Sequence, residues 1–468
     1  MQLRSRGRGR LCRTLGLLTA NLFVVTGVQA QQAPSGSNEA TPSTELVSDE
    51  APQSDLGMTR IDTSVLFYQE DGGRVRTIEP VALATLNADN GDILTVKLTS
   101  DTLTGATPNG ATPWTSTQTF TTPAHAPGTQ SVVTGSSGGS KLVTIPGVGT
   151  IVRQYSTAPN QLPVDAGFRD QREAIDLGYS SQLNADTSLS GGLGGSVERD
   201  YTSLTGSLGG ARDFNHKNTT LSASFNFEYD LSRPYFGTPT PLTVMSGDPK
   251  GPSASKRVYN VVLGVTQVMT RRWLLELNYS YGSTQGYQTD PYLIISVVDP
   301  TGAPLEYLYE SRPNTRTRES VYMDNRIAVG PTFADLTARY YWDSWGIKSV
   351  TVGASDRIPL IGGLYVEPEG RYYDQTAASF FHNYLLSTQP IPTYASSDSR
   401  LSKFSAVTAG ARIGLKVGST GELYLEGERY IQTGVNHPAG APGALAMENL
   451  FSGVSATSFV LGYTFAFY

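Results

Sequence analysis

The chain has 468 residues, including 49 glycines, 25 tyrosines and 16 phenylalanines; only 16% are charged, and the formal net charge is −6. That composition suits β-strands with aromatic ends and fits a soluble α/β enzyme poorly. The negative balance leaves no basic stripe to meet phosphates, which argues against a nucleic-acid partner.

Residues 1–30 read as a signal peptide. Arg4, Arg6, Arg8, Arg10 and Arg13 precede an apolar run from Leu15 to Val28, and Val28-Gln29-Ala30 offers the small residues that a signal peptidase needs. The run is too short for a membrane anchor. The single cysteine, Cys12, leaves with it, so the mature chain is expected to have no disulfide, thiolate metal site, thiol nucleophile or CxxCH haem attachment. Cleavage also removes five arginines, taking the net charge from −6 to −11. Beyond it no apolar stretch approaches eighteen residues, so helical spans are not expected.

Residues 31–58 are rich in Ser, Pro, Gln and acids, lack periodicity, and read as a disordered linker. Sixteen strand candidates follow within 59–468, near 61–69, 74–86, 92–101, 168–182, 187–197, 201–213, 218–229, 256–269, 272–284, 318–329, 332–343, 347–358, 363–375, 402–416, 421–431 and 457–468. If the first runs outward from the periplasm, every connection at the inner end is short and turn-like. All the long gaps (102–167, 230–255, 285–317, 376–401 and 432–456) then fall at the outer end. An even strand number with short periplasmic turns and long extracellular loops is the asymmetry of an outer-membrane barrel. The expected fold is therefore all-β, a transmembrane antiparallel β-barrel of about 16 strands. A secreted β-sandwich or solenoid is the alternative, and it would spread its loops evenly over both ends.

Alternation within the strands agrees with a wall between lipid and water. Leu221, Ala223, Phe225 and Phe227 share one face, against Ser222, Ser224, Asn226 and Glu228. Likewise Ala334, Leu336, Ala338, Tyr340 and Trp342 oppose Asp335, Thr337, Arg339 and Asp343. The last strand puts Phe459, Leu461, Tyr463, Phe465 and Phe467 on one face. In typical barrels the final residue itself belongs to that stripe, so the register of this strand is open by one.

Lumen-lining candidates follow from the polar faces. Lys416 and Glu422, and further out Arg412 and Glu426, flank one turn symmetrically, so a single hairpin register sets both ion pairs opposite each other. The neighbouring strand adds Glu367, Glu369 and Arg371, flanked by Tyr365 and Tyr373, and another contributes Asp335 and Arg339. Such a belt could set ion preference in a pore, or it could simply be a solvated wall holding the barrel's shape. Glu367 and Glu369 as an acid/base pair are less well supported than a hydrogen-bonded network with Arg371.

The four histidines (His125, His216, His382 and His437) are isolated from one another, and no spacing suggests a metal site. SGGLGGS (190–196) lies inside a strand and lacks the Lys and helix of a phosphate cradle; it marks close backbone approach or a bend. The segment 102–167 is rich in Thr, Gly and Pro, with a candidate short hairpin at 144–155, and reads as a cap or an inward plug. Neither catalytic residues, a cofactor nor a metal is expected.

Several strings resemble a family of proteobacterial outer-membrane proteins known as domain of unknown function 3570. Among them are SVLFYQEDGGRVRTIEPV (64–81), RDFNHKNTTLS (212–222), NYSYGSTQGYQTDPYLIISVVD (278–299), RYYWDSWGI (339–347) and EPEGRYYDQTAASFF (367–381). The resemblance runs from about Ile61 to Tyr468. It implies an outer-membrane β-barrel and supplies no enzymatic or binding residues to carry over. Members' genes often lie near those for thioredoxin-like, small lipoprotein and flavin-transferase proteins, which implies a redox-linked envelope system. This chain shows no redox residue of its own.

The expectation is thus an outer-membrane protein, not an enzyme, that acts as a passive pore for small polar solutes or ions. The alternative is a sleeve or assembly scaffold for a periplasmic or surface partner in a redox-linked envelope system, such as a periplasmic lipoprotein or redox protein, and a barrel enzyme is the remotest reading. Outer-membrane lipid and the barrel assembly machinery are the other expected partners.

Overall fold

A strand that alternates apolar and polar residues must put lipid or protein on one side and water on the other. The computed structural model satisfies this by closing the sheet on itself. It describes residues 59–88, 90–123, 140–144, 151–234, 237–245 and 251–467. The expected signal peptide and linker lie outside the described residues.

In chain order the strands begin with β1 (Thr59–Glu70), β2 (Arg76–Asn87), β3 (Ile93–Pro108), β4 (Gln118–Pro123), β5 (Ser140–Thr144) and β6 (Ile151–Thr157). Next come β7 (Val164–Asn184), β8 (Thr187–Val197), β9 (Tyr201–Phe214), β10 (Thr219–Ser232), β11 (Ala254–Thr270) and β12 (Trp273–Gly286). The series ends with β13 (Ile294–Val298), β14 (Pro304–Tyr309), β15 (Thr315–Val329), β16 (Thr332–Asp343), β17 (Lys348–Pro359), β18 (Leu364–Gln375), β19 (Leu385–Leu386), β20 (Phe404–Val417), β21 (Gly421–Gly434) and β22 (Ser455–Phe467).

The closed barrel runs β1-β2-β3-β7-β8-β9-β10-β11-β12-β15-β16-β17-β18-β20-β21-β22. It is completed by β1 against β22, in antiparallel register from Thr59↔Phe467 to Glu70↔Ala456. All sixteen expected strands are present. Several run further at the outer end than alternation indicated; β3 continues through the Thr-rich stretch to Pro108 and pairs with β7 up to Val164. No helix among the described residues is long and apolar enough to cross a membrane.

Apolar side chains cover the outside. Leu98, Leu177, Leu208, Leu263, Leu336, Val407, Leu425 and Leu461 are exposed there, while their strand neighbours turn inward. The last strand's register is resolved: Phe459, Leu461, Tyr463 and Phe467 are exposed on the outside, and the Tyr463, Phe465 and Phe467 rings stack in sequence at 5.7 and 6.1 Å. Val460 and Ala456 turn inward and pack with Leu66, Tyr68 and Tyr424.

Connections are sorted by end as expected. Those at the terminus-bearing end are short. The long ones gather at the other end and carry two small sheets, β14-β13-β19 and β4-β6-β5. A hairpin expected at 144–155 is found with its first arm further back, as β5 (140–144) and β6 paired from Ser140↔Tyr155 to Thr144↔Ile151, and β4 extends it to three strands.

This two-faced wall makes a stability prediction. Leu425→Arg, mid-strand and outward, should lower stability by about 2–4 kcal/mol in a urea titration of protein folded into vesicles. A loss below about 0.5 kcal/mol, the size expected of a water-exposed surface change, would contradict a lipid-facing position.

Candidate functional site: a charged belt beneath a loop cap

β17, β18, β20 and β21 pair in sequence, and their inward faces build the belt. In the β20–β21 hairpin Arg412 lies opposite Glu426 and Lys416 opposite Glu422, the register expected from the turn. Arg412 Nε donates to Glu426 at 2.7 Å, and its guanidinium lies 4.7 Å from the Tyr424 ring centroid. Glu422 accepts from the Tyr365 hydroxyl at 2.6 Å. On the other side Arg357 donates to Glu367 at 3.0 Å and covers the Tyr365 ring at 4.1 Å.

Glycines make this crowding possible. A Cβ at Gly414 would come within 2.1 Å of the Tyr365 ring, and one at Gly410 would lie 2.8 Å from Glu369 Oε1 and 2.9 Å from Glu428 Cγ. The bare backbone of β20 is therefore the gap through which side chains of β18 and β21 meet. Carboxylate oxygens of Glu369, Glu426 and Glu428 all lie within 4.8 Å of one another, close enough to hold a cation between them.

The structure thus joins Glu367, Glu369, Arg412, Lys416, Glu422 and Glu426 in one patch of wall, with Arg371 beside it on β18. Asp335 and Arg339 lie on β16, beyond β17. Asp335 meets Arg326 at 3.3 Å, and Arg339 lies 5.6 Å from the Tyr341 ring centroid. Sequence reasoning missed Arg357 and Glu428, although both follow the same alternation.

Further out the wall is drier. The Arg326 and Asp335 side chains are 35% and 26% exposed. Nearer the mouth, Arg172 and Asp101 pair at 2.6 Å with 6% of each exposed, and Asp230, held by Lys256 at 3.0 Å, is 1% exposed. At this end loops also pack onto the inward-facing wall. Phe451 packs on the inward-facing Tyr373, Phe404 and Ala406. Leu401 and Phe380 pack on Trp345, with Tyr341 of the wall against them. Arg74 donates to the carbonyls of Ser452 and Gly453 at 3.1 and 2.8 Å.

The segment 287–314 is the cap's hub. It meets the first long loop through Ile294 N to Asn109 O at 2.9 Å, the 237–245 segment through Met245 N to Tyr307 O at 2.7 Å, and the last loop through Ala444 N to Thr301 O at 3.0 Å. To 376–403 it is joined by the parallel pairing of β13 with β19 and by a buried ionic cluster. Arg312 contacts Glu310 at 2.6 Å and Asp398 at 2.9 Å, Arg400 contacts Asp398 at 2.7 Å, and Asp290 lies 3.9 Å from Arg400. The described residues of the first long loop, expected at 102–167 as a cap or an inward plug, are accordingly one of several segments joined to this hub.

Within this cluster burial pushes the Glu310 carboxyl up to about 7 against the pull of Arg312. Burial also raises Asp290. Asp398 is equally buried, but Arg400 and Arg312 together hold it down at about 2. Sequence reasoning missed the cluster, although Glu310-Ser311-Arg312 and Asp398-Ser399-Arg400 repeat one acid–Ser–Arg pattern in two loops.

A family described as "Protein of unknown function (DUF3570)" matches residues 27–465. The chain belongs to that family. No curated protein matches. Among solved structures, this DUF3570 chain is similar to a mutant ferric enterobactin receptor, PfeA, from Pseudomonas aeruginosa: 11% identity, TM-score 0.40, covering 86% of this chain and 59% of that one. It spans about three fifths of the receptor's length. It is also similar to a bacterial polysaccharide outer membrane secretin (8%, TM-score 0.42, 88% and 99% covered). A third match is the outer membrane protein opdK from Pseudomonas aeruginosa (8%, TM-score 0.37, 88% and 99% covered).

The cap of the DUF3570 barrel should respond to pH. Glu310, raised from its ordinary value to about 7, stabilises the closed cap in its protonated form, fully below its ordinary value near 4.5. That contribution is lost as pH rises through about 7; Asp290, raised too, acts in the same sense, and Asp398, held near 2, stays charged throughout. Amide exchange of 287–314, corrected for intrinsic rates, should therefore be faster at pH 8 than at pH 6, by no more than about tenfold per pH unit for one proton. Glu310→Gln should flatten the dependence. Equal protection of the wild type at both pH values would refute it.

Proposed function

We propose that the protein resides in the outer membrane as a channel for small polar solutes or ions, held closed at its outer mouth by the loop cap. The observation that carries this reading is the belt of Arg357, Glu367, Glu369, Arg412, Glu422 and Glu426, charged groups in a water-facing lumen. The barrel needs no such groups for its shape, since partly exposed ion pairs contribute about 0–1 kcal/mol each. A charged constriction does give a passing ion opposite charge at close range.

Resting conductance should be low and rise when the cap is released. Breaking a buried ion pair costs about 3–5 kcal/mol, so Arg312→Ala should turn rare openings in planar bilayers into frequent ones. Absence of conductance steps from both proteins would eliminate the channel. Selectivity is a separate expectation: Glu367→Gln combined with Glu369→Gln should weaken cation preference, read as the reversal potential in a salt gradient. An unchanged potential would discard a role for the belt.

The second reading is a sleeve for a periplasmic lipoprotein or redox partner. It is favoured by the wall's wetter end, which faces the side of the short turns and the termini. On that reading the protein conducts little even without its cap and co-purifies with the partner. In neither reading is it an enzyme.

A further inference from the structure

The outer wall of β8 and β9 is not evenly covered. Along these strands leucine and glycine alternate in register on the outside: Gly191 lies opposite Leu208, and Leu193 opposite Gly206. Leu193 and Leu208 stand 68% exposed. Between them is an open apolar depression of about 550 Å³, walled by Tyr179 and Phe225 from the flanking strands and floored by Gly191 and Gly206.

The backbone does not demand glycine at either floor position. Neither has a left-handed φ, and a Cβ would lie 3.5 Å from Leu208 at 191 and 3.8 Å from Leu193 at 206, ordinary contacts. They differ in this from Gly410 and Gly414 in the lumen, where a Cβ would collide with other side chains. What glycine supplies on the outside is space, and on a lipid-facing wall that space admits a slender apolar chain.

Charge identifies the rest of the occupant. Arg212 lies on the same outer face of β9, opposite Leu221 and Thr187, four residues nearer the inner rim than Leu208, or about 13 Å along the strand. Its guanidinium lies over the Phe214 ring at 5.4 Å, and it pairs with no carboxylate among the described residues. The exposed Arg271 and Arg272 in the next turn add to Arg212 in making this sector of the rim basic; Lys217 in the adjoining turn is paired with Asp213 at 3.8 Å, and Asp186 is the opposing exposed acid. A basic group at the membrane interface below an apolar groove suits an anionic headgroup whose tail runs up the wall.

We propose that this groove binds one phospholipid of the inner leaflet, with an acyl chain over Gly191 and Gly206 and its phosphate at Arg212. The test is native mass spectrometry of the full-length protein titrated with palmitoyl-oleoyl phosphatidylglycerol in detergent micelles. The wild type should saturate with one lipid. Gly206→Leu, which fills the groove, and Arg212→Gln, which removes the charge, should each raise the half-saturating concentration about tenfold, with unchanged heat-modifiable gel migration as the folding control. Inorganic phosphate in millimolar excess should not displace the lipid.

Three results would overturn the site. One is equal binding by wild type and Gly206→Leu. Another is displacement by inorganic phosphate, which would make it a site for free anions. The last is a wild-type dimer that Gly206→Leu converts to monomer, which would assign the groove to a second copy of the chain.

Discussion

The structure depends on one constraint: within hydrocarbon, no backbone N–H or C=O can be left without a partner. A sheet meets that only by joining its first strand to its last, as β1 does with β22 over the whole length of both. Once the wall is closed, residue parity fixes everything else about a side chain's surroundings. Odd positions of β21 face lipid and even ones face water; on β10 the same parity holds, and on β16 it is reversed. At the depth of the hydrocarbon, charges can then be placed only inside, so a polar lumen follows from closure before any function is considered.

Closure does not explain how the lumen is filled. Strands held about 4.8 Å apart would ordinarily keep Glu369 and Glu428 two strands from each other. They meet because Gly410, between them, has no side chain. Tyr365 lies over Gly414, and Tyr424 over Gly462, by the same device. These inward glycines convert a rim of separate side chains into a connected belt, trading strand propensity for reach across the sheet. The outward glycines of β8 and β9 do the opposite and leave their space open.

The strands were legible because parity is a local signal, and because long and short connections sort by end only if every strand has been counted. The belt was legible in part: the symmetry of Arg412, Lys416, Glu422 and Glu426 about one turn is visible without structure. Glu428 escaped because its partner Glu369 comes from another hairpin; Arg357 faces Glu367 within its own β17–β18 hairpin and was open to the same turn symmetry. Of the cap, only the first long loop (102–167) was singled out, as a cap or an inward plug; the assembly of several loops was not legible. Its contacts join residues such as Asn109 with Ile294 and Arg312 with Asp398, and nothing within a loop's own sequence announces a partner so distant. The twin acid–Ser–Arg pattern was the one local trace. The glycine groove was hidden for another reason: whether a glycine is required by the backbone or leaves a hole is decided by its neighbours' geometry.

The cap also differs in kind from the barrel. Ordering long loops costs about 1–2 kcal/mol per residue in backbone entropy, and the cap offsets this as a soluble domain does, with its own apolar interior. Ile295, Leu308, Leu385 and Ala395 form one cluster, and Phe120, Tyr155, Ile294 and Tyr309 another, each drawn from more than one loop. Segment 287–314 takes part in both and also carries Glu310 and Arg312 of the ionic cluster. No single loop can leave without exposing apolar surface on the hub or stranding a buried charge. A cap built around one shared segment is therefore held together as a unit rather than loop by loop.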